Sequence, residues 1–229
     1  MDMYFNRLSG AFPKLVIFDM DGLILDTETI SIDGWAKAGS ELGFSIPLEL
    51  FGSLFGCGKV ECRKRMAAAL GGSFDFDAAY AIRTEYVKSH IEKHGVNAKK
   101  GLDGLLCFLS EYSVYKCVAT STEREKAEYL LGKAGVFGRF DKIIGGGDVA
   151  RGKPEPDIFI AAADAFDMKP DDCIVLEDSS TGSEAARRGG FRTILVPDLS
   201  RPDEATLSFV SAVCEDLNGA ADAIKTLLK

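Results

Sequence analysis

Two aspartates that directly follow an apolar segment are the part of this sequence that most suggests chemistry. Residues 16–22 read VIFDMDG, so Asp19 and Asp21 end an apolar run and precede Gly22. Desolvating an unpaired carboxylate is costly, so acids in this place usually bind a cation or take part in a reaction. Residues i and i+2 of an extended chain point to the same side, so the two carboxylates can converge. The alternative is a simple turn capped by an aspartate side chain.

Polar residues also follow two other apolar segments. Residues 118–121 read VATS and residues 174–179 read IVLEDS, so hydroxyls end the first run and carboxylates end the second. The residues concerned are Thr120, Ser121, Glu177 and Asp178. Each motif by itself is typical of a helix N-cap. Neither one identifies a site without the others.

A lysine lies between a glycine and a proline in residues 152–157, which read GKPEPD. The proline restricts the backbone, so Lys153 is suited to hold a positive charge in one place. An isolated lysine in such a turn is equally compatible with a solvated surface side chain. The interpretation of Lys153 therefore depends on the three motifs described above.

The segments that must position these residues alternate between strand and helix character. Apolar runs typical of buried strands occur at Leu15–Phe18, Tyr115–Ala119, Lys142–Ile144, residues 174–176 and residues 193–196. Helical spacing separates most of them, which predicts an α/β fold with a doubly wound parallel sheet. Ligands of such sheets bind at the carboxyl ends of the strands, where all four motifs lie. Together the motifs hold the groups for binding Mg²⁺ and a phosphoryl group.

Helices are predicted between and after these strands. The TERE sequence of residues 122–125 predicts a capping box, with the Thr122 side chain at the start of a helix. Pro156 is predicted in the first turn of another helix. The predicted helices cover residues 122–134, 156–165, 183–188 and 217–228.

The segment between the first strand and the rest of the sheet has a different pattern. Helical spacing occurs at residues 35–42, 60–70 and 78–94, with no convincing strand. This pattern predicts an inserted helical cap, and the alternative is an extra packing layer. The predicted domains are a catalytic core of residues 1–26 and 96–229 and a cap of residues 27–95.

Composition limits the classes of function. A net charge of −8 argues against binding the backbone of a nucleic acid. No apolar run approaches the ~20 residues that span a bilayer, so no membrane association is expected. The six cysteines contain no CxxC pair, which favours a reducing, cytoplasmic location over a disulfide framework. A monomer is the expected state, because an inserted cap already covers the active face.

These motifs together resemble those of the haloacid dehalogenase superfamily. The chain is similar to its branch of small phosphatases and β-phosphoglucomutase-like proteins with a helical cap. Four motifs match in order along nearly the whole chain: DxDGxxxDTE at residues 19–28, the Thr/Ser strand end, GKPxPxxF at residues 152–159 and LEDSxxG at residues 176–182. The resemblance implies a Rossmann-like core and a Mg²⁺-dependent phosphatase that acts on a small phosphorylated metabolite, such as a sugar phosphate.

The resemblance also implies roles for individual residues. Asp19 is expected to be the nucleophile that forms an aspartyl-phosphate, and Asp21 the general acid and then the general base. The groups expected to hold the transferring oxygens are Thr120, the backbone amide of Ser121 and Lys153. The expected Mg²⁺ ligands are the Asp19 carboxylate, the Asp21 carbonyl oxygen, Asp178 and Glu177, the last directly or through water.

The cap is expected to contact the substrate, with Lys59 at the end of a glycine-rich turn as the candidate cation. A β-phosphoglucomutase-like mutase is the alternative function. By resemblance, such mutases carry a histidine shortly before a tryptophan in the cap, and a lysine and an arginine around a cap glycine. This chain has Ser31 four residues before Trp35, Phe55 in place of that lysine and Lys59 in place of that arginine. These differences favour hydrolysis.

Two further alternatives are disfavoured by the same residues. Dehalogenation does not require a second aspartate as an acid for the leaving group, whereas this chain retains Asp21. A non-enzymatic binding module that inherited the fold remains an alternative, because fold alone does not establish activity. The presence of Asp19, Asp21, Lys153 and Asp178 together argues for an enzyme.

Overall fold

Two compact units make up the chain. The computed structural model describes residues 4–47, 50, 54, 59–71 and 74–228. Its contacts divide the chain into an α/β unit, Met1–Leu25 with Ala98–Lys229, and a helical unit, Asp26–Asn97. The boundaries predicted from the sequence lie one residue away at the first crossing and two residues away at the second.

Within the described residues, a seven-stranded sheet forms the centre of the α/β unit. Its strands are β1 (Phe5–Asn6), β2 (Leu15–Phe18), β3 (Tyr115–Ala119), β4 (Lys142–Ile144), β5 (Cys173–Glu177), β6 (Arg192–Leu195) and β7 (Ala212–Val213). Their order is β1-β7-β6-β5-β2-β3-β4, and all pairs are parallel except β1 with β7. The predicted doubly wound α/β fold is confirmed. Two strands, the edge strand β1 and its neighbour β7, were not predicted, because two residues are too few to show a period.

The point where the winding reverses lies at β2. The chain leaves β2 for β3 on one side and later returns to β5 on the other. All four residues of β2 are fully buried, because both faces of this central strand are covered. Phe18 is level with Val118 in β3 and with Leu176 in β5. The residues that follow these three positions therefore reach the same edge of the sheet.

The helical unit has its own apolar core. Its helices are α1 (Thr27–Leu42), α2 (Lys59–Leu70) and α3 (Phe76–His94). Trp35 is 4% exposed, and its ring centroid lies 6.1 Å from the rings of both Phe76 and Tyr80. Trp35 is thus a core residue of this unit. Residues 56–58 of the predicted glycine-rich turn, 56–59, lie outside the described residues, as does Phe55.

Six further helices belong to the α/β unit in the described part of the chain. They are α4 (Leu102–Glu111), α5 (Arg124–Lys133), α6 (Asp157–Asp164), α7 (Ser180–Arg188), α8 (Glu204–Phe209) and α9 (Leu217–Lys225). One apolar cluster joins α6 and α7 to the sheet, and includes Ile17, Phe159, Val175 and Ala185. Helix α7 begins three residues before its predicted start, and Ser179 caps it by accepting a hydrogen bond from the Gly182 amide. None of the described helices has the length and apolarity needed to cross a membrane.

The predicted capping box at residues 122–125 is wrong. Helix α5 starts at Arg124 with Glu123 at its N-cap, and no side chain there makes a capping hydrogen bond. The Thr122 hydroxyl instead donates to Asp21 Oδ2 over 2.9 Å. A contact with a residue on a different strand end therefore replaces the local cap that the sequence pattern indicated.

Candidate active site

The carboxyl ends of three adjacent strands bring the predicted site residues of the α/β unit together. Asp19 follows β2, and its amide donates to the Leu176 carbonyl in β5 over 3.0 Å. Thr120 follows β3 and is 1% exposed, while Asp178 follows β5 and is 8% exposed. Parallel pairing in one register places these side chains at one edge of the sheet.

Lys153 lies between two carboxylates of this edge. Its Nζ donates to Asp19 Oδ1 and, over 2.5 Å, to Glu177 Oε1. The lysine side chain is only 6% exposed, and its Nζ lies 4.9 Å from the centre of the Phe159 ring. Breaking such a buried pair leaves an uncompensated charge, so the ammonium is firmly held. The prediction of a positive charge in one place matches this geometry.

Glu177 is held on both of its oxygens. Oε1 accepts from Lys153, and Oε2 accepts from the amides of Asp178 and Ser179 over 3.0 Å and from Ser179 Oγ over 2.9 Å. The backbone of Gly182 packs so closely on this carboxylate that a Cβ there would overlap it. The Glu177 side chain therefore fixes the position of Lys153 and of the turn that carries Asp178.

Asp21 is positioned from β3 and the loop after it. Thr122 Oγ1 donates to Asp21 Oδ2 over 2.9 Å, and Thr120 Oγ1 lies 3.5 Å from the same oxygen. The Thr122 amide in turn donates to Thr120 Oγ1 over 3.1 Å. Sequence reasoning missed Thr122 because its pattern also satisfied a helix cap. The available signal was a second threonine hydroxyl, that of Thr122, two residues after Thr120 at the end of the same strand.

Three of these carboxylates lie close enough to hold one metal ion. Oxygens of Asp19, Glu177 and Asp178 all lie within 4.8 Å of one another, and all three residues are buried. Lys153 contacts two of these carboxylates, those of Asp19 and Glu177. A cluster of three hard oxygen ligands fits a divalent cation such as Mg²⁺.

Comparison with known proteins identifies the family. A family model described as haloacid dehalogenase-like hydrolase matches residues 16–196. The chain belongs to this family. The resemblance predicted from the four motifs is thereby confirmed for this haloacid dehalogenase-like hydrolase.

Two sequence relatives and one solved structure are similar to this chain. A Drosophila melanogaster protein named "Probable pseudouridine-5'-phosphatase" is 32% identical over 196 residues, covering 83% of this chain and 84% of the relative. Fructose-1-phosphate phosphatase YqaB of Escherichia coli (strain K12) is 28% identical over 179 residues, covering 78% and 94%. The crystal structure of β-phosphoglucomutase from Clostridium difficile matches with a TM-score of 0.75 at 22% identity, covering 94% and 99%. That structural likeness shows the shared fold.

Burial changes the protonation of the central pair in this hydrolase. Burial raises the pKa of Asp19 from 3.8 to about 7, against the lowering effect of Lys153. Burial alone would lower the pKa of Lys153, but attraction by Asp19 and Glu177 raises it above its ordinary value. Lys153 therefore stays an ammonium. Asp19 ionises near neutral pH unless a further positive charge comes close.

Two further predicted residues are Ser121 and Lys59. Ser121 is exposed beside Thr120. Lys59 belongs to the helical unit, where its half-exposed side chain lies 3.7 Å from Asp77 and 4.7 Å from the centre of the Tyr80 ring. Its expected contact with substrate stays a prediction.

Proposed function

We propose that this chain is a Mg²⁺-dependent phosphatase that hydrolyses a small phosphorylated metabolite through an aspartyl-phosphate on Asp19. The observation that carries the proposal is the Asp19 carboxylate at the end of β2, held by Lys153 and flanked by Glu177 and Asp178. Family membership and the named phosphatase relatives support a phosphoric monoester hydrolase. Those relatives also favour a phosphorylated sugar or nucleoside as the substrate class.

In the first chemical step, an Asp19 carboxylate oxygen attacks the phosphorus atom of the substrate. The bond from phosphorus to the leaving oxygen breaks, and Asp21 gives a proton to that oxygen. The hydrogen bond from Thr122 holds the Asp21 carboxyl group in place for this transfer. The Lys153 ammonium restrains Asp19 and offsets charge on the transferring oxygens.

In the second step, the oxygen of a water molecule attacks the phosphorus of the aspartyl-phosphate while Asp21 takes a proton from that water. The bond between phosphorus and the Asp19 oxygen breaks, inorganic phosphate leaves and the carboxylate is restored. One residue thus serves as acid and then as base. This alternation requires a group that is partly accessible, and Asp21 is half-buried whereas Asp19 is buried.

Asp19, Asp178 and the Asp21 carbonyl would hold Mg²⁺, which when bound supplies positive charge that keeps Asp19 ionised and reduces its repulsion of a phosphate dianion. Both oxygens of Glu177 already accept hydrogen bonds from the protein. Contact of Glu177 with the ion through water is therefore favoured over direct coordination. The hydrogen bonds of Glu177 with Lys153 and Ser179 are the same for direct and for water-mediated contact with the ion.

The mutase alternative finds less support in the helical unit. The β-phosphoglucomutase structure shares the fold, so the fold cannot separate the two activities. Ser31 is buried and accepts hydrogen bonds from Arg83 Nε and Nη2 over 3.1 and 2.6 Å. A serine hydroxyl does not titrate near neutral pH as an imidazole does. We therefore favour transfer of the phosphoryl group to water.

The decisive assay measures inorganic phosphate released from a panel of sugar and nucleoside monophosphates with and without Mg²⁺. The panel includes β-glucose 1-phosphate with a bisphosphate activator, assayed also for glucose 6-phosphate. Phosphate release that requires Mg²⁺ supports the proposal, and its ranking identifies the substrate class. Glucose 6-phosphate formed without matching phosphate would establish the mutase instead. No turnover of any substrate would favour a binding module.

Thr122→Val is expected to lower kcat by about tenfold and leave KM within about twofold. The variant removes the hydroxyl that positions Asp21 and keeps the shape of the side chain. Steady-state kinetics on the best substrate of the panel provide the measurement. Thr226→Val is the control, because Thr226 Oγ1 donates to the Ala223 carbonyl near the described C-terminal end, away from Asp21 in the sequence. Equal kinetics for wild type and Thr122→Val would contradict the assigned role.

A further inference from the structure

A second lysine–carboxylate pair lies beside the proposed cation site in the α/β unit. Lys99 Nζ and Asp198 Oδ1 are 2.5 Å apart, with the two side chains 27% and 8% exposed. Lys99 directly follows the second crossing between the units, and its amide donates to the Ile24 carbonyl over 2.8 Å. Asp198 follows β6. The pair is therefore mostly buried, and its two members come from distant parts of the chain.

Gly22 connects this pair to the carboxylate cluster. Gly22 has a φ of +87°, and a Cβ built on it would overlap Asp178 Oδ2 and lie 3.4 Å from Asp198 Oδ2. Both carboxylate oxygens thus approach the same point above one glycine. Charges this close change each other's interactions with a third charge. A side chain at residue 22 would separate them.

We propose that the Lys99–Asp198 pair sets the charge at the cation site, with Asp198 as a positioning residue whose negative charge Lys99 balances. This inference rests on the proposed Mg²⁺ site at Asp19 and Asp178. Asp198 adds a negative charge next to Asp178, and Lys99 cancels most of its effect. The pair keeps Asp198 bound to the protein, so that Asp178 remains the carboxylate presented to the cation.

Electrostatics then gives opposite signs for the two single variants. Lys99→Met removes one positive charge beside Asp198, so the affinity for Mg²⁺ is expected to rise by about tenfold. Asp198→Asn leaves the Lys99 charge uncompensated, so the affinity is expected to fall by about tenfold. The double variant removes both charges and is expected to bind within about twofold of wild type. A pair that only supports the fold would weaken binding in both single variants.

The measurement is the Kd for Mg²⁺ by calorimetry on purified protein without substrate, repeated with Mn²⁺ by electron paramagnetic resonance. Lys100→Met is the matched control, because Lys100 pairs with Asp216 over 2.8 Å while its side chain is 77% exposed. Its affinity is expected to equal that of wild type. Lys99→Arg keeps the charge and should also match wild type. If Asp198→Asn does not fold, the Kd of Lys99→Met for Mg²⁺ is compared with that of Lys99→Arg, and a tighter Kd for Lys99→Met supports the inference.

The outcomes separate this inference from the proposed function. Wild type that binds no Mg²⁺, or Asp178→Asn that binds it as well as wild type, would refute the cation site itself. Mg²⁺ binding that is lost in Asp178→Asn, together with opposite shifts in the two single variants, supports the inference. Shifts in the same direction, or none, would overturn the inference and leave the cation site intact.

Discussion

Asp19→Asn is expected to lower the rate of phosphate release by more than about 10³-fold, with the protein still folded. The amide cannot attack phosphorus as a carboxylate does, while its shape still fits the end of β2. Phosphoenzyme trapping with a reactive aryl phosphate provides the measurement. Wild type should incorporate a phosphoryl group that survives acid quenching and is released by base or neutral hydroxylamine, at most one per chain, and Asp19→Asn none. Residual turnover above about a hundredth of wild type would show that another group is the nucleophile.

Two further variants sharpen this test. Asp21→Asn should still form the phosphoenzyme from an aryl phosphate, whose leaving group needs no proton, but should hydrolyse it slowly. Asp222→Asn is the control for substitution of a surface aspartate, because Asp222 pairs with Lys225 on α9 and is 75% exposed. It should behave as wild type. This pattern separates a nucleophile from a merely acidic residue and from a contaminating phosphatase.

Thermal stability is expected to show that Asp19→Asn is folded. The pKa of Asp19 is raised to about 7, so wild type loses stability as the pH rises from about 4 to about 7 in the absence of a divalent cation. The asparagine does not ionise, so the variant escapes this loss. In EDTA at pH 8 it should melt no lower than wild type. A markedly lower melting temperature would mean that the lost activity reflects misfolding.

Lys153→Met is expected to destabilise the fold by about 3–5 kcal/mol at pH 8 and to lower activity by more than about 100-fold. The methionine fills similar volume, but Asp19 and Glu177 lose the ammonium that both contact. Urea unfolding in EDTA measures the free energy of unfolding. Lys14→Met is the matched control: its pair with Asp172 has a distance of 2.9 Å, but Lys14 is 67% exposed. That control should change stability by less than about 1 kcal/mol.

The pH dependence of the Lys153→Met deficit provides its second test. Below about pH 6 the Asp19 carboxyl is protonated in the folded wild type, so the ammonium has less charge to balance. Removing Lys153 raises the pKa of Asp19 further, and the deficit in stability grows as the pH rises above about 7. The loss at pH 5.5 should therefore be smaller than at pH 8. A deficit that is constant with pH would indicate lost packing against Phe159 instead.

The central strands and the edge of the sheet could be predicted because their signals are local. The four residues of β2 are apolar without interruption, since both faces are buried, and Asp19 marks the end of the strand. Three predicted strands have the observed bounds, β2, β3 and β4. The strands β1 and β7 have two residues each; β1 pairs antiparallel with β7, which in turn pairs with β6. No local pattern marks them.

The contacts within the site could not be predicted in the same way. The TERE pattern is locally consistent with a capping box, yet Thr122 contacts Asp21, which precedes it by 101 residues. Glu177 is acidic at the end of a strand, but its full set of donors depends on how α7 and the Lys153 loop pack. Lys99 and Asp198 are separated by 99 residues and belong to no motif. Their pairing depends on the path of the folded chain.

The sequence by itself determined the family, the α/β core and the residue types at the carboxyl ends of β2, β3 and β5, because strand periods and short motifs depend on near neighbours. Only the tertiary structure decided which of those groups form hydrogen bonds and ion pairs with one another. Lys153 and Asp19 are separated by 134 residues, and they meet because the loop that follows β4 carries Lys153 to the edge of the parallel sheet where β2 ends. Burial at that edge then raises the pKa of Asp19, a property of the folded environment that the same residue lacks in the unfolded chain.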